Sequence, residues 1–316
     1  MWRRSVKKVF TRIANKNAAK SQERVNIGVL CKLFGISRQA YYQGLAREEE
    51  KKKEQKKIVS KVESIRKKHR RMGGRKVYEK LKEELKQAGI KCGRDKFFDI
   101  LREENLLVKY KKRFVKTTQS KHMFYKHPNL VQGLEITHSE QVWVCDITYI
   151  KTKEGSLYLF LITDAYSKQI MGWVLSDNLK TINAVKALEM ALKNRRYPER
   201  ELIHHSDRGF QYCNPSYVAL LESNNIRISM TTKYDPYENA IAERVNGILK
   251  AEYEIGEGFV GYKDAQKEIK YAVWLYNNDR PHLSCNMLVP KEAHEKENYQ
   301  LRTWKKDVYY AGFKKA

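Results

Sequence analysis

Val142-Trp143-Val144-Cys145-Asp146-Ile147-Thr148-Tyr149-Ile150 is the stretch on which the fold turns. β-branched and aromatic residues fill it, and no glycine or proline interrupts it, so it reads as a strand. The alternation of a strand puts Asp146 on the face of Val142, Val144, Thr148 and Ile150. An acid among core-facing positions is costly unless a metal or hydrogen bonds satisfy it. Gly155 turns the chain into a second apolar run over 157–163, and a third follows over 170–175. The short connections make these three an antiparallel meander. Next come a helix over 181–194, a strand over 202–206, a helix over 215–223 and a strand over 226–230. The order βββ-α-β-α-β-α predicts an α/β fold: one mixed five-stranded sheet with helices on its faces.

The last helix of that series opens after Asp235-Pro236, because proline cannot sit inside a helix and pushes the preceding residue toward extended backbone. Ile241, Val245, Ile248 and Leu249 then recur at helical spacing and form an apolar stripe. Asn239, Glu243, Asn246 and Lys250 share the opposite face. Asp207 ends the fourth strand, at the edge where open α/β sheets place ligands. Three carboxylates, Asp146, Asp207 and Glu243, converging at one sheet edge suit a hard divalent cation bound through oxygen. With a phosphodiester present, two such ions ~3.5–4 Å apart can bridge the attacking and leaving oxygens. Lys250, two helical turns beyond Glu243, is placed to hold a DNA phosphate nearby.

Upstream the character changes. The net charge of the 316 residues is +26. Residues 1–138 carry 38 Lys and Arg against 14 Asp and Glu, and the rest 25 against 23. The basic excess thus sits almost wholly in the first part, the footprint of a nucleic-acid-binding portion joined to a neutral globular one. Residues 1–48 read as a basic arm and a helix-turn-helix. Val29, Leu30 and Leu33 face inward, Gly35 makes the turn, Ile36 packs beneath it and Ser37 caps the second helix. Arg38, Gln39 and Tyr41 are its candidate DNA contacts. Residues 49–110 hold a charged helix and a second helical module. Its basic entry points, Arg75 and Lys76 after Gly73-Gly74 and Arg94 and Lys96 after Gly93, would approach a phosphate backbone. Residues 111–138, with Lys112 and Arg113, read as a basic linker. Residues 139–256 form the core and 257–316 a C-terminal helical extension.

Other classes are disfavoured. No run of ~18 apolar residues predicts a membrane span, and the basic start lacks the apolar region of a signal peptide. Five scattered cysteines form no C-x-x-C pair, which points to a reduced cytoplasmic setting without a disulfide framework. His69, His122 and His127 lack paired cysteines, so no zinc is expected. His204 and His205, at a strand end, are expected to be structural or substrate-positioning.

Three segments, Trp143-Val144-Cys145-Asp146-Ile147-Thr148-Tyr149-Ile150, His204-His205-Ser206-Asp207-Arg208-Gly209-Phe210-Gln211-Tyr212 and Tyr237-Glu238-Asn239-Ala240-Ile241-Ala242-Glu243-Arg244, together resemble the catalytic core of OrfB-type transposases of the insertion sequence three family. Downstream, Tyr276-Asn277-Asn278-Asp279-Arg280-Pro281-His282 with Leu288-Val289-Pro290 resembles the family's C-terminal signature. The resemblance covers nearly the whole chain. It implies an RNase H-like, retroviral-integrase-like catalytic core preceded by all-α helix-turn-helix modules. It implies Mg²⁺ or Mn²⁺, with two ions per site on DNA, held by Asp146, Asp207 and Glu243. It implies strand nicking and strand transfer at terminal inverted repeats of double-stranded DNA. Lys250 would be the basic residue following the glutamate by seven, and Arg208 and Asn239 would lie beside the DNA. Holding two ends requires at least a homodimer, and an upstream-frame OrfA product is a further expected partner. Two other readings use the same residues: an RNase H-like nuclease that cleaves without joining, and a DNA-binding protein with an inactive core. The helical modules weigh against the first and the intact acidic triad against the second.

Overall fold

The computed structural model describes residues 27–108, 123–232, 239–296 and 299. The basic arm, the part of the linker holding Lys112 and Arg113, the Asp235-Pro236 turn and most of the C-terminal tail lie outside the described residues.

Three strands, β1 (Val142–Thr152), β2 (Gly155–Asp164) and β3 (Ile170–Ser176), form the antiparallel meander. Two short strands, β4 (Ile203–Ser206) and β5 (Arg227–Met230), add to the other side of β1 in parallel. The sheet order is β3-β2-β1-β4-β5, the mixed five-stranded sheet expected of an RNase H-like core.

Alternation along the strands builds two cores. Trp143, Cys145, Phe160 and Ile162 pack under α5 (Thr181–Lys193) and α7 (Pro215–Ser223). Between β4 and α7 a short helix, α6 (Phe210–Cys213), escapes the sequence reading because one turn carries no period. Ile150, Leu157, Leu159 and Leu161 face the other way. They pack against α8 (Ala240–Glu252) and α9 (Tyr262–Asn278) through Val245, Ile248, Leu249, Ile269 and Val273. Helix α9 was expected in a C-terminal extension, yet Ala265, Ile269 and Tyr276 are buried in the same core as the sheet. It is therefore one layer of the core, because its apolar stripe supplies half of what covers that face.

On the first face β3 and α5 nearly touch. A Cβ on Gly172 would stand 2.1 Å from the Ala187 carbonyl oxygen and 2.8 Å from the Ala191 amide nitrogen. Both neighbours are backbone and cannot swing aside. Gly172→Ala is expected to cost about 1–3 kcal/mol by overpacking, read as a lower urea midpoint.

The helical part comprises α1 (Ile27–Leu33), α2 (Arg38–Lys68), α3 (Gly74–Gln87) and α4 (Arg94–Glu103). Gly35 turns at φ +64°, and the Ser37 hydroxyl accepts from the Ala40 amide at 3.0 Å, as expected of the turn and cap. The facing of α1 differs from the expectation. Val29 and Leu33 are 63% and 74% exposed, whereas Cys31 packs with Tyr41, Phe34 and Ile36. Helix α2 is continuous for 31 residues and crosses positions 48 and 49, where the sequence suggested a boundary. Its second half buries Ile58 and Val62 against Val77, Leu81, Phe97 and Leu101 of α3 and α4. One helix thus serves both helical units.

Candidate active site

Val144 pairs with His205 in the parallel ladder between β1 and β4. Two residues further on each strand lie Asp146 and Asp207, so the register brings them side by side where β4 ends. Asp146 Oδ1 accepts from the Ile147 amide at 2.9 Å, and Oδ2 accepts from Asn246 Nδ2 at 2.7 Å. Asp207 Oδ1 accepts from the Gly209 amide at 2.9 Å. Burial first, and the Asp207 carboxylate second, push Asp146 up to about 7; the two hydrogen bonds act against that rise, and Glu243 adds the smallest repulsion.

Glu243 sits in the first turn of α8 and is exposed. Burial raises its carboxyl, and its charge adds a small repulsion at Asp146. Among the described residues no three His, Cys, Asp or Glu side chains form a ready-made metal cage. The donor set nevertheless fits a hard cation. The oxygens are carboxylate and amide, Asp146 carries excess negative potential, and the buried Asn246 Oδ1 faces no hydrogen-bond partner. Lys250 is half-buried, held below its usual range by burial, with the Asp146 carboxylate acting against that.

Asn246 is the residue that the sequence reading left out of the site. The signal was its place three residues after Glu243 on one helix face. It is 6% exposed, so that face is part of the site rather than a solvated surface. Asn246→Ala removes the bond that orients Asp146. Activity is expected to fall by about 10–100-fold with end binding retained, measured as kcat and Kd on the element's own DNA end.

The other expected contacts differ in their exposure. Asn239 is buried and its Nδ2 donates to the Cys145 carbonyl at 3.0 Å, which ties the start of α8 to β1. Tyr41 is 6% exposed and edge-on to Tyr42, which is the outward ring. Lys76 is turned inward onto Glu252 at 2.5 Å. Arg38, Gln39, Arg75 and Arg94 are exposed. Lys96 reaches Glu54 and the Lys91 carbonyl from an exposed position, and Arg208 lies half-buried beside Asp207. His204 is buried, with Nε2 2.8 Å from the Tyr217 hydroxyl and 3.3 Å from Cys145 Sγ. Burial, and then His205, lower it to about 3, so it is a neutral structural group behind the site.

Comparison with known proteins agrees with this architecture. Two models described as "Integrase core domain" match residues 136–236 and 224–290. The chain is 36% identical over 270 residues to the insertion element IS600 uncharacterized 31 kDa protein of Shigella sonnei, covering 84% of this chain and 98% of that one. It is 30% identical over 285 residues to transposase InsF for insertion sequence IS3A of Escherichia coli (strain K12), covering 88% of this chain and 96% of that one. Among solved structures, the HTLV-2 integrase catalytic core domain in complex with magnesium aligns over 50% of this chain and 97% of that one, at 17% identity and a TM-score of 0.40. A likeness that distant adds nothing to the two sequence relatives. With 88% of its length aligned at 30% identity, the chain belongs to the IS3 family of insertion-sequence transposases, polynucleotidyl transferases of DNA transposition and integration.

Proposed function

We propose that Asp146, Asp207 and Glu243 are the metal-binding carboxylates of this transposase, and that it nicks and joins DNA at the terminal inverted repeats of its element. The observation that carries this reading is Asp146. It is a carboxylate in mid-strand, pushed up to about 7 by burial and by its neighbour Asp207, and fixed by Asn246. Nothing in packing explains such an arrangement, whereas a divalent cation offsets its cost. Mg²⁺ or Mn²⁺, two ions when DNA is bound, would activate the attacking hydroxyl and stabilise the leaving oxygen of the phosphodiester.

The chain's own part is positional. Asp146 and Asp207 supply oxygens from adjacent strand ends, and Asn246 orients Asp146. Glu243 contributes from the rim of α8, where DNA can reach it. Lys250, two turns along the same helix, lies within electrostatic reach of Asp146 and is placed to hold a DNA phosphate. Arg38, Gln39, Arg75 and Arg94 remain the DNA contacts of the helical part, since their side chains are exposed. Two DNA ends must be held at once, so the working form on DNA is at least a homodimer.

The test is a labelled duplex carrying the element's own end, incubated with the purified chain and Mg²⁺. Nicked and strand-joined products support the reading. Nicks without joining favour a nuclease, and tight end binding with no product favours a DNA-binding protein with an inactive core.

A further inference from the structure

Away from the carboxylate site, a second cluster of buried charge joins the helical part to the core. Arg280 is 1% exposed and grips Glu252 twice, Nε to Oε2 and Nη2 to Oε1, both at 2.8 Å. Lys76 Nζ, from the first turn of α3, donates to the same Glu252 Oε1 at 2.5 Å. The Arg71 amide donates to the Glu252 carbonyl at 3.2 Å. Next to this, His69 Nε2 lies 2.8 Å from Asp279 Oδ2, and Lys80 donates to the Asp279 carbonyl at 2.8 Å and to its carboxylate. Four residues of the helical part thus meet Glu252 and Asp279 of the core, and Arg280 pairs with Glu252 from the core side, so the core residues come from only two places. One is the end of α8, the other the Asp279-Arg280 pair that follows α9.

Glu252 is the last residue of the helix that carries Glu243 and Lys250. Nine residues separate it from Glu243. At about 100° and about 1.5 Å each, that is two and a half turns and about 13 Å, so Glu252 faces the opposite side at the far end. The helix is held at the end and on the side away from Glu243. A hydrogen-bonded helix moves as one body, so a shift or rotation imposed at Glu252 appears at Glu243. Fold adhesion alone would need no such arrangement, because the apolar stripe of α8 already packs it on the sheet. Lys76, together with the Arg71 amide, adds what that packing lacks, a link from the helical part to the catalytic helix.

We propose that Glu252, Arg280 and Lys76 are positioning residues for transposition, through which the placement of the helical part sets the position of Glu243 and Lys250. The proposal rests on the catalytic reading of Glu243 given above. DNA held by the helical part then acts on the catalytic helix without touching it, and end recognition and strand chemistry share one mechanical connection. Lys76 is the informative residue, since it joins the two parts while the Arg280–Glu252 pair stays within the core.

The experiment compares the full chain with Lys76→Met and Lys76→Arg, on the element's own labelled end with Mg²⁺, and with Glu243→Gln in parallel. Lys76→Met is expected to lower kcat for nicking and joining by about tenfold or more while end affinity stays within about twofold. Lys76→Arg, which keeps the cation, restores most of the loss. Amide exchange over the last two turns of α8 quickens by about tenfold in Lys76→Met, while β1 exchanges as in the wild type. Full turnover in Lys76→Met, or unchanged exchange in α8, overturns the proposal. So does a loss confined to end affinity, which would make Lys76 a phosphate contact after all. If Lys76→Met does not fold, Lys76→Gln carries the same comparison. Activity surviving in Glu243→Gln would overturn the catalytic reading instead, and the exchange data then judge the connection on their own.

Discussion

Asp146→Asn is expected to abolish nicking and joining, lowering the rate on the order of a thousandfold or more, because several kcal/mol of transition-state charge stabilisation disappear with the ligand. The variant should fold at least as well as the wild type. In the free protein the ionised Asp146 is a strained group, half-buried and repelled by Asp207, with its carboxyl pushed up to about 7. The asparagine keeps the size and the acceptor oxygen toward Asn246 and removes the repulsion. Its thermal midpoint should therefore equal or exceed that of the wild type. The two readouts separate a catalytic role from a structural one. A residue kept for stability would lose both activity and folding when replaced, whereas a site residue that is costly to the fold loses activity alone. Calorimetric titration with Mn²⁺ in the presence of end DNA gives a third readout, since heat of binding should vanish in the variant. An Asp146→Asn chain that still joins strands would remove Asp146 from the site. One that unfolds would mean that its carboxylate is part of the scaffold.

Elements with a clear period were legible in the sequence. Val142 to Ile150 alternates cleanly, so both the strand and its two faces followed from it, and Asp146 stood out because it broke the apolar face. Helix α8 was legible for the same reason, and with it the shared face of Glu243, Asn246 and Lys250. What the pattern left open has a different physical cause. Lys76 follows two glycines in a basic stretch and looked like a phosphate contact, but its partner Glu252 lies 176 residues away, and no local pattern announces so distant an ion pair. Tyr41 and Tyr42 are adjacent in a helix, so one faces in and one out, and only the packing against Cys31 decides which. Helix α1 and the residue after it carry apolar residues on both sides, Val29 and Leu33 on one and Cys31 and Phe34 on the other, so periodicity alone admitted two facings. Of the site itself, the residue types and their elements could be read, while the pairing of Asn246 with Asp146 depended on how far α8 leans onto β1.

Arg280→Met is expected to be the most destabilising single change, costing about 3–5 kcal/mol, because it removes the bidentate partner of the half-buried Glu252 and leaves Lys76 alone to offset its charge. Arg280 is 1% exposed, and its guanidinium also lies 5.5 Å from the Tyr276 ring centre, so methionine replaces the length of the side chain but none of its polar function. The loss should depend on pH in a defined sense. Burial by itself would raise the Glu252 carboxyl, but the Arg280 guanidinium and the Lys76 ammonium overcome it and hold Glu252 at about 2. A carboxylate held below its unfolded value, near 4.3, stabilises the fold above that pH and loses the contribution as pH falls toward 2. The wild type should therefore lose about 3 kcal/mol from this group between about pH 5 and 2. In Arg280→Met that depression is largely gone, so stability should change less over the same window, and the gap between the two proteins should narrow as the acid range is entered. Urea unfolding at pH 7 and at pH 3 measures both. A gap that stays constant from pH 7 to pH 3 would show that Arg280 acts through packing against Tyr276 rather than through the charge of Glu252. A gap near zero at pH 7 would show that the cluster is solvated in solution and holds neither the end of α8 nor the helical part.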